Sequence, residues 1–175
     1  MEYIVDNCPP PPVMAKVSFT VANVTDESTE VDVSIMITPK SLPDEKVFDL
    51  LSCSFPLQSN IMSVSLNATV GAWSKKTAEG TGESCLWKIG KIPLNKSPVL
   101  SGTIVYSNSV DDVKEEYGPG SDFHTPVSIQ FSIPSYSLSG LAVDHLHVGG
   151  EIYKAFKGVK HETLAGEYWV RSKRT

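Results

Sequence analysis

The chain has 175 residues, 41% of them hydrophobic and 20% charged, with a formal net charge of −5. That length suffices for one good core or two small ones, and the composition is that of a folded globular protein. No apolar run approaches the roughly 20 residues of a membrane-spanning helix, and the start, MEYIVDNCPPPP, lacks the basic and apolar regions of a secretory signal, so a cytosolic location is expected.

Residues 1–12 are expected to form an extended lead-in, because Pro9 to Pro12 cannot donate ladder hydrogen bonds. Val13, Ala15, Val17, Phe19 and Val21 then alternate with polar or small neighbours, as a strand with one buried face requires. Asn23 to Thr29 reads as a turn, and Val31, Val33, Ile35 and Ile37 make a second strand, giving a hairpin. After a break at Pro39–Pro43, Val47 to Phe55 is a third apolar segment with Leu51, Cys53 and Phe55 in phase. Met62, Val64, Leu66, Ala68 and Val70 form a fourth alternating set. Gly71 to Ser84 is polar and turn-rich, with Trp73 its only large apolar group. Short strands follow over Cys85–Ile92, with Trp87 and Ile89 in phase, and over Leu100–Tyr106.

Residues 108–125 carry Asp111, Asp112, Glu115, Glu116 and Asp122 and few apolar side chains, so an exposed, mobile loop is expected. Beyond it, Val127, Ile129, Phe131 and Ile133 alternate with Ser128, Gln130 and Ser132, which predicts a strand with its serines in water. Ser139-Gly140-Leu141 leads into another alternating run, then a basic hairpin candidate, YKAFKGVK, and a last strand in AGEYWVR. No stretch has the period of an amphipathic helix. Many short strands between Pro, Gly and Ser turns predict an all-β, antiparallel β-sandwich.

Chemistry-bearing patterns are scarce. Cys8, Cys53 and Cys85 are odd in number and contain no C-x-x-C pair, which argues against a disulfide framework and a zinc site. His145 and His147 share a strand face at metal-ligand spacing, yet no third ligand lies near, and surface histidines are the better reading. The acidic loop lacks the order of a calcium-binding loop. There is no nucleophile elbow, phosphate-binding loop or dinucleotide fingerprint, so neither an enzyme nor a cofactor is expected. For an acidic chain without a recognised module, nucleic-acid binding is not expected. Charge is uneven, however. Residues 151–175 hold six Lys/Arg against three Glu, a local +3 that leaves −8 on the rest. Such an end can face anionic phospholipid or an acidic partner, or simply keep a strand edge soluble.

Four motifs in order carry a resemblance. SGLAVDHLHV, YKAFKGVK and AGEYWVR resemble the closing strands of the medium (mu) chains of clathrin-type adaptor complexes. CLWKIGKIPLNKSPVLSGTI resembles that family's W-x-I-G strand, proline turn and L-x-G strand, and VFDLLSCSFPLQSNI its strand ending in Phe-Pro. YKAFKGVK, with Gly158 where the plasma-membrane adaptor has Trp, looks most like the third adaptor complex. The resemblance implies a mu homology domain, an elongated β-sandwich of two subdomains. It divides the chain into a lead-in (1–12), a subdomain B-like sandwich (13–107), the acidic loop (108–125), closing strands of subdomain A (126–171) and a basic tail (172–175). On this resemblance, the family's N-terminal longin-like domain and the first part of subdomain A are expected to have no counterpart among these 175 residues.

The implied function is recognition of cargo tails carrying Tyr-x-x-bulky-apolar sorting signals, which add as a strand to subdomain A during vesicle-mediated transport. Val143, Leu146 and Val159 fall on positions lining the apolar pocket, and Lys160 on the tyrosine side. Implied partners are the cargo tails, other adaptor subunits and anionic phospholipids, on the cytoplasmic side of Golgi, endosomal or other vesicle membranes. Two other readings stay open: a muniscin- or stonin-like domain that binds endocytic accessory proteins, and a structural sandwich that self-associates through an exposed edge.

Overall fold

The alternating residues of the first hairpin do what their period demands. Val13, Phe19 and Val21 on one strand and Val31, Val33, Ile35 and Ile37 on the next are all buried. The computed structural model describes residues 9–40, 42, 46–78, 82–92, 96–108, 118–150 and 156–171. Its strands are β1 (Val13–Val24), β2 (Ser28–Pro39), β3 (Leu50–Pro56), β4 (Ile61–Ala68), β5 (Ala72–Ala78), β6 (Gly82–Lys88), β7 (Val99–Ser107), β8 (Val127–Pro134) and β9 (Glu162–Val170). They form two antiparallel sheets, one of order β1-β2-β7-β4 and one of order β5-β6-β3-β8-β9. The predicted antiparallel β-sandwich is the observed fold.

Between the sheets lies one core. Ile35, Ile37, Leu100 and Ile104 of the first sheet and Leu51, Trp87, Ile129 and Ile133 of the second are fully buried members. Phe19 meets Phe55 edge-on across the gap, with ring centroids 5.2 Å apart. Removing apolar area from water on this scale is the main drive for assembly, at about 25 cal/mol per Å².

Several segments depart from the sequence reading, each for a local reason. The polar stretch Gly71–Ser84 contains all of β5 and the start of β6. As an edge strand β5 needs little apolar content, and its exposed Lys75 and Lys76 suit that edge. In β4 the pairing with β7 slips between Ile61 and Ser63, a bulge that leaves Met62 exposed while Ile61 packs on the core. Ser128 and Ser132 of β8 are buried rather than in water, as β8 runs between β3 and β9, and Ser132 Oγ donates to Glu162 Oε1 of β9 (3.3 Å).

The expected mobile loop is anchored at both ends, and only its middle, 109–117 with Asp111, Asp112, Glu115 and Glu116, lies outside the described residues. Asn108 is buried. Its Nδ2 donates to Thr25 O (2.7 Å) and its Oδ1 accepts from Thr29 Oγ1 (2.7 Å), closing the β1–β2 turn. Farther on, Gly120 N donates to Val21 O, Val21 N to Ser121 O, and Phe123 N to Phe19 O. This run covers the free side of β1, and Phe123 stacks on Tyr106 at 5.4 Å. β8, grouped with the closing strands in the sequence division, is hydrogen-bonded to β3 and completes this same sandwich.

Two glycines permit close strand approach. Gly71 (φ 77°) stands where a Cβ would overlap Lys88 O, and Gly102 of β7 (φ 151°) where it would overlap Ser65 O of β4. Both combine a backbone conformation that L side chains rarely adopt with a backbone neighbour that cannot move aside. Gly102→Ala and Gly71→Ala are each expected to lower the free energy of unfolding by more than about 2 kcal/mol. Urea denaturation checks this, and a loss below 0.5 kcal/mol would mean the strands separate freely.

Candidate functional site

The segment between β8 and β9 carries the sequence-predicted site, and its base is firmly held. Ser135, at φ 54°, turns the chain out of β8, and its N–H donates to His161 O at 2.8 Å. Thr163 Oγ1 donates to Tyr136 O (2.8 Å) and accepts from Leu138 N (3.1 Å). Residues 135–138 and 161–163 thus clamp the two ends of one excursion. A turn follows, in which Gly140 N donates to Ser137 O and Leu141 N to Ser139 Oγ.

Beyond this neck, residues 141–150 and 156–160 are exposed and form no strand. The expected second alternating run, and the part of the basic hairpin at 156–160, are therefore not strands here, while Tyr153, Lys154 and Ala155 lie outside the described residues. Alternation sets which side chains share a face, but a strand also needs a neighbour to complete its ladder, and no described strand runs beside this segment. The four site residues all lie on it. Val143 is 50%, Leu146 46% and Val159 46% exposed, and Lys160 and Gly158 are exposed as well. They are side chains on one extended excursion rather than the walls of a closed pocket. Leu141 and Val148 extend the apolar series.

Elsewhere the candidates reduce to structure. His145 and His147 are exposed, and no group of three or more His, Cys, Asp or Glu among the described residues is placed to hold a metal. Lys157, Lys160 and Arg171 are exposed cations, while Cys8, Lys154, Lys173 and Arg174 lie outside the described residues. No helix of the described residues is long and apolar enough to cross a membrane. Cys53 and Cys85 are free and buried. Burial pushes both thiols up to about 12, with the neighbouring Cys85 adding to the shift at Cys53, so neither is a ready nucleophile.

Sequence reasoning passed over Leu164 and Trp169, which β9 presents outward, 70% and 52% exposed. The chain's AGE (165–167) interrupts their alternation with the inward residues, so the pair does not stand out as one face.

Among the described residues, then, the chain is an all-β sandwich with no metal cluster and with an exposed apolar and basic excursion between β8 and β9. The family model of the adaptor complexes medium subunit family matches residues 1–172. The chain belongs to that family. It is 30% identical over 161 residues to the AP-3 complex subunit mu of Dictyostelium discoideum, covering 92% of this chain and 35% of that protein. It is 33% identical over 150 residues to the AP-1 complex subunit mu of Diplobatis ommata, covering 86% and 33%. With the AP-3 complex subunit mu-1 of Gallus gallus it shares 35% identity over 112 residues, 64% and 24% of the two chains. The chain spans about a third of the length of the first two.

The buried thiols give a direct check. Both groups are held neutral in the folded state, so their stabilising contribution is complete below the ordinary value of 9 and is lost as pH rises from there towards about 12. In a Cys8→Ser variant, a thiol reagent at pH 8 is expected to label neither remaining cysteine until denaturant is added. Unfolding midpoints are expected to fall between pH 9 and 12. Rapid labelling of the native chain would contradict the burial.

Proposed function

We propose that the chain is an adaptor-type recognition module of vesicle-mediated protein transport, with a binding rather than a catalytic role. Membership of the medium-subunit family supports this reading. The observation that carries it further is the exposed excursion of residues 141–150 and 156–160, where Leu141, Val143, Leu146, Val148 and Val159 offer apolar side chains on backbone that belongs to no described strand. Such a segment suits strand addition, in which backbone hydrogen bonds supply affinity and alternate side chains supply selectivity.

The occupant is a cargo tail with a Tyr-x-x-bulky-apolar signal. Val143, Leu146 and Val159 hold the bulky residue, and Lys160 lies on the tyrosine side. Other adaptor subunits are partners of the assembled complex, and Lys157, Lys160 and Arg171 favour an anionic phospholipid surface on Golgi, endosomal or other vesicle membranes. In this reading residues 13–107, with β1–β7, are the subdomain B-like sandwich, and residues 126–171, with β8, the excursion and β9, are the closing strands of subdomain A.

Fluorescence anisotropy with a Tyr-x-x-Leu peptide and its Tyr→Ala control tests the proposal. The tyrosine peptide is expected to bind at least tenfold more tightly than the control. Val143→Glu and Val159→Glu are each expected to weaken it about tenfold, since burying one such side chain contributes roughly 1.5 kcal/mol or more. Equal affinities for the two peptides would overturn the cargo assignment. Lys160→Glu is expected to reduce cosedimentation with phosphatidylserine vesicles, and unchanged cosedimentation would remove the lipid contact.

A further inference from the structure

β9 closes one side of the five-stranded sheet, with β8 on its inner flank and no described strand beyond it. Its pairing with β8 slips between Ile129 and Phe131. Tyr168 faces Ile129 and Ala165 faces Phe131, so residues 166 and 167 together stand opposite Gln130. Such a bulge reverses the phase of the strand. Before it, Thr163 and Ala165 lie opposite inward Ile133 and Phe131, and Glu162 and Leu164 take the outer face. After it, Tyr168 and Val170 turn inward, and Trp169 takes the outer face opposite Ser128. Continued alternation puts the exposed Arg171 on that face too.

We propose that this edge is self-complementary, and that two copies of the chain join across a two-fold axis by antiparallel β9–β9 pairing centred on residues 166 and 167. The phase reversal selects the register. Facing residues of an antiparallel pair point to the same side, so a residue before the bulge must meet one after it in the right phase. Centred there, the pairing sets Glu162 opposite the partner's Arg171, Thr163 opposite the partner's Val170, Leu164 opposite the partner's Trp169, and Ala165 opposite the partner's Tyr168. The two-fold axis repeats each contact.

Charge meets opposite charge, apolar meets apolar, and inward residues meet inward residues. The neighbouring allowed registers set Leu164 against the partner's Arg171, or Glu162 against the partner's Trp169, and lose the apolar Leu164–Trp169 contact. An isologous contact of this kind closes after two copies, so it yields a dimer with a continuous ten-stranded sheet rather than a fibre. The other three edges are less inviting. Residues 120–123 cover β1, Trp73 Nε1 donates to Leu66 O on β4, and β5 carries Lys75 and Lys76.

The inference does not depend on the cargo role. Light scattering on the 175-residue chain across a dilution series tests it. A monomer–dimer equilibrium is expected, shifted to monomer by Leu164→Lys. Glu162→Arg and Arg171→Glu are each expected to weaken the dimer at least tenfold, and the double exchange to restore it to within about threefold of the parent. These positions are exposed, so melting temperatures report whether each variant stays folded. A monomer at every concentration, a dimer indifferent to Leu164→Lys, or a double exchange that restores nothing would overturn the proposal. A monomer whose binding of a Tyr-x-x-Leu peptide is lost in Leu164→Lys would overturn it too, assigning the edge to a foreign strand.

Discussion

The sandwich turns on one corner. At residues 69–71 the chain leaves the four-stranded sheet at β4 and enters the five-stranded sheet at β5. There the indole N–H of Trp87, a fully buried side chain, donates to Val70 O at 2.9 Å. Trp73 Nε1 donates to Leu66 O at 2.7 Å beside it. A buried N–H without an acceptor costs about 1–3 kcal/mol, so the carbonyl at the corner offsets the cost of burying Trp87 in the core. Gly71 lets the corner lie against Lys88 without a side chain in the way. Sequence, turn and core are tied together at that point, and the registers of β5 with β6 and of β6 with β3 follow from it.

Once the core is set, edges decide what the molecule can do. Each sheet has two, and the chain treats them differently. The 120–123 run hydrogen-bonds to β1, Trp73 reaches the backbone of β4, and lysines mark β5. β9 instead shows Leu164 and Trp169, next to an excursion whose apolar side chains are half exposed. Apolar surface gathered at one end of a protein whose other edges are guarded is surface for contact. That asymmetry, more than any one residue, supports the proposed binding role.

Much of this was legible in the sequence where period and burial coincide. Val31 to Ile37 read as one face, and they are one face. Leu51, Cys53 and Phe55 read in phase and are buried together. What escaped was context. β5 has too few apolar residues to announce itself, since an edge strand draws its stability from β6 alongside it. Ser128 and Ser132 look like solvent-facing positions until the neighbours of β8 are known. The bulge in β4 hides Met62's outward turn, and the one in β9 hides Leu164 and Trp169. The run 141–148 has a strand's alternation without a strand's partner, and Val143, Leu146, Val159 and Lys160 therefore lie in the open. Their assignment to groove positions rests on the motif resemblance alone.

The central claim is that a rigid two-sheet body holds out an excursion ready to pair with an incoming strand. Amide hydrogen exchange on the chain, alone and with a saturating Tyr-x-x-Leu peptide, tests it most directly. The account predicts slow exchange in β2, β3, β7 and β8 throughout, fast exchange over 141–150 and 156–160 in the free chain, and marked slowing there when the peptide binds. Slow exchange over those residues in the free chain, or binding that leaves their exchange unchanged, would contradict it.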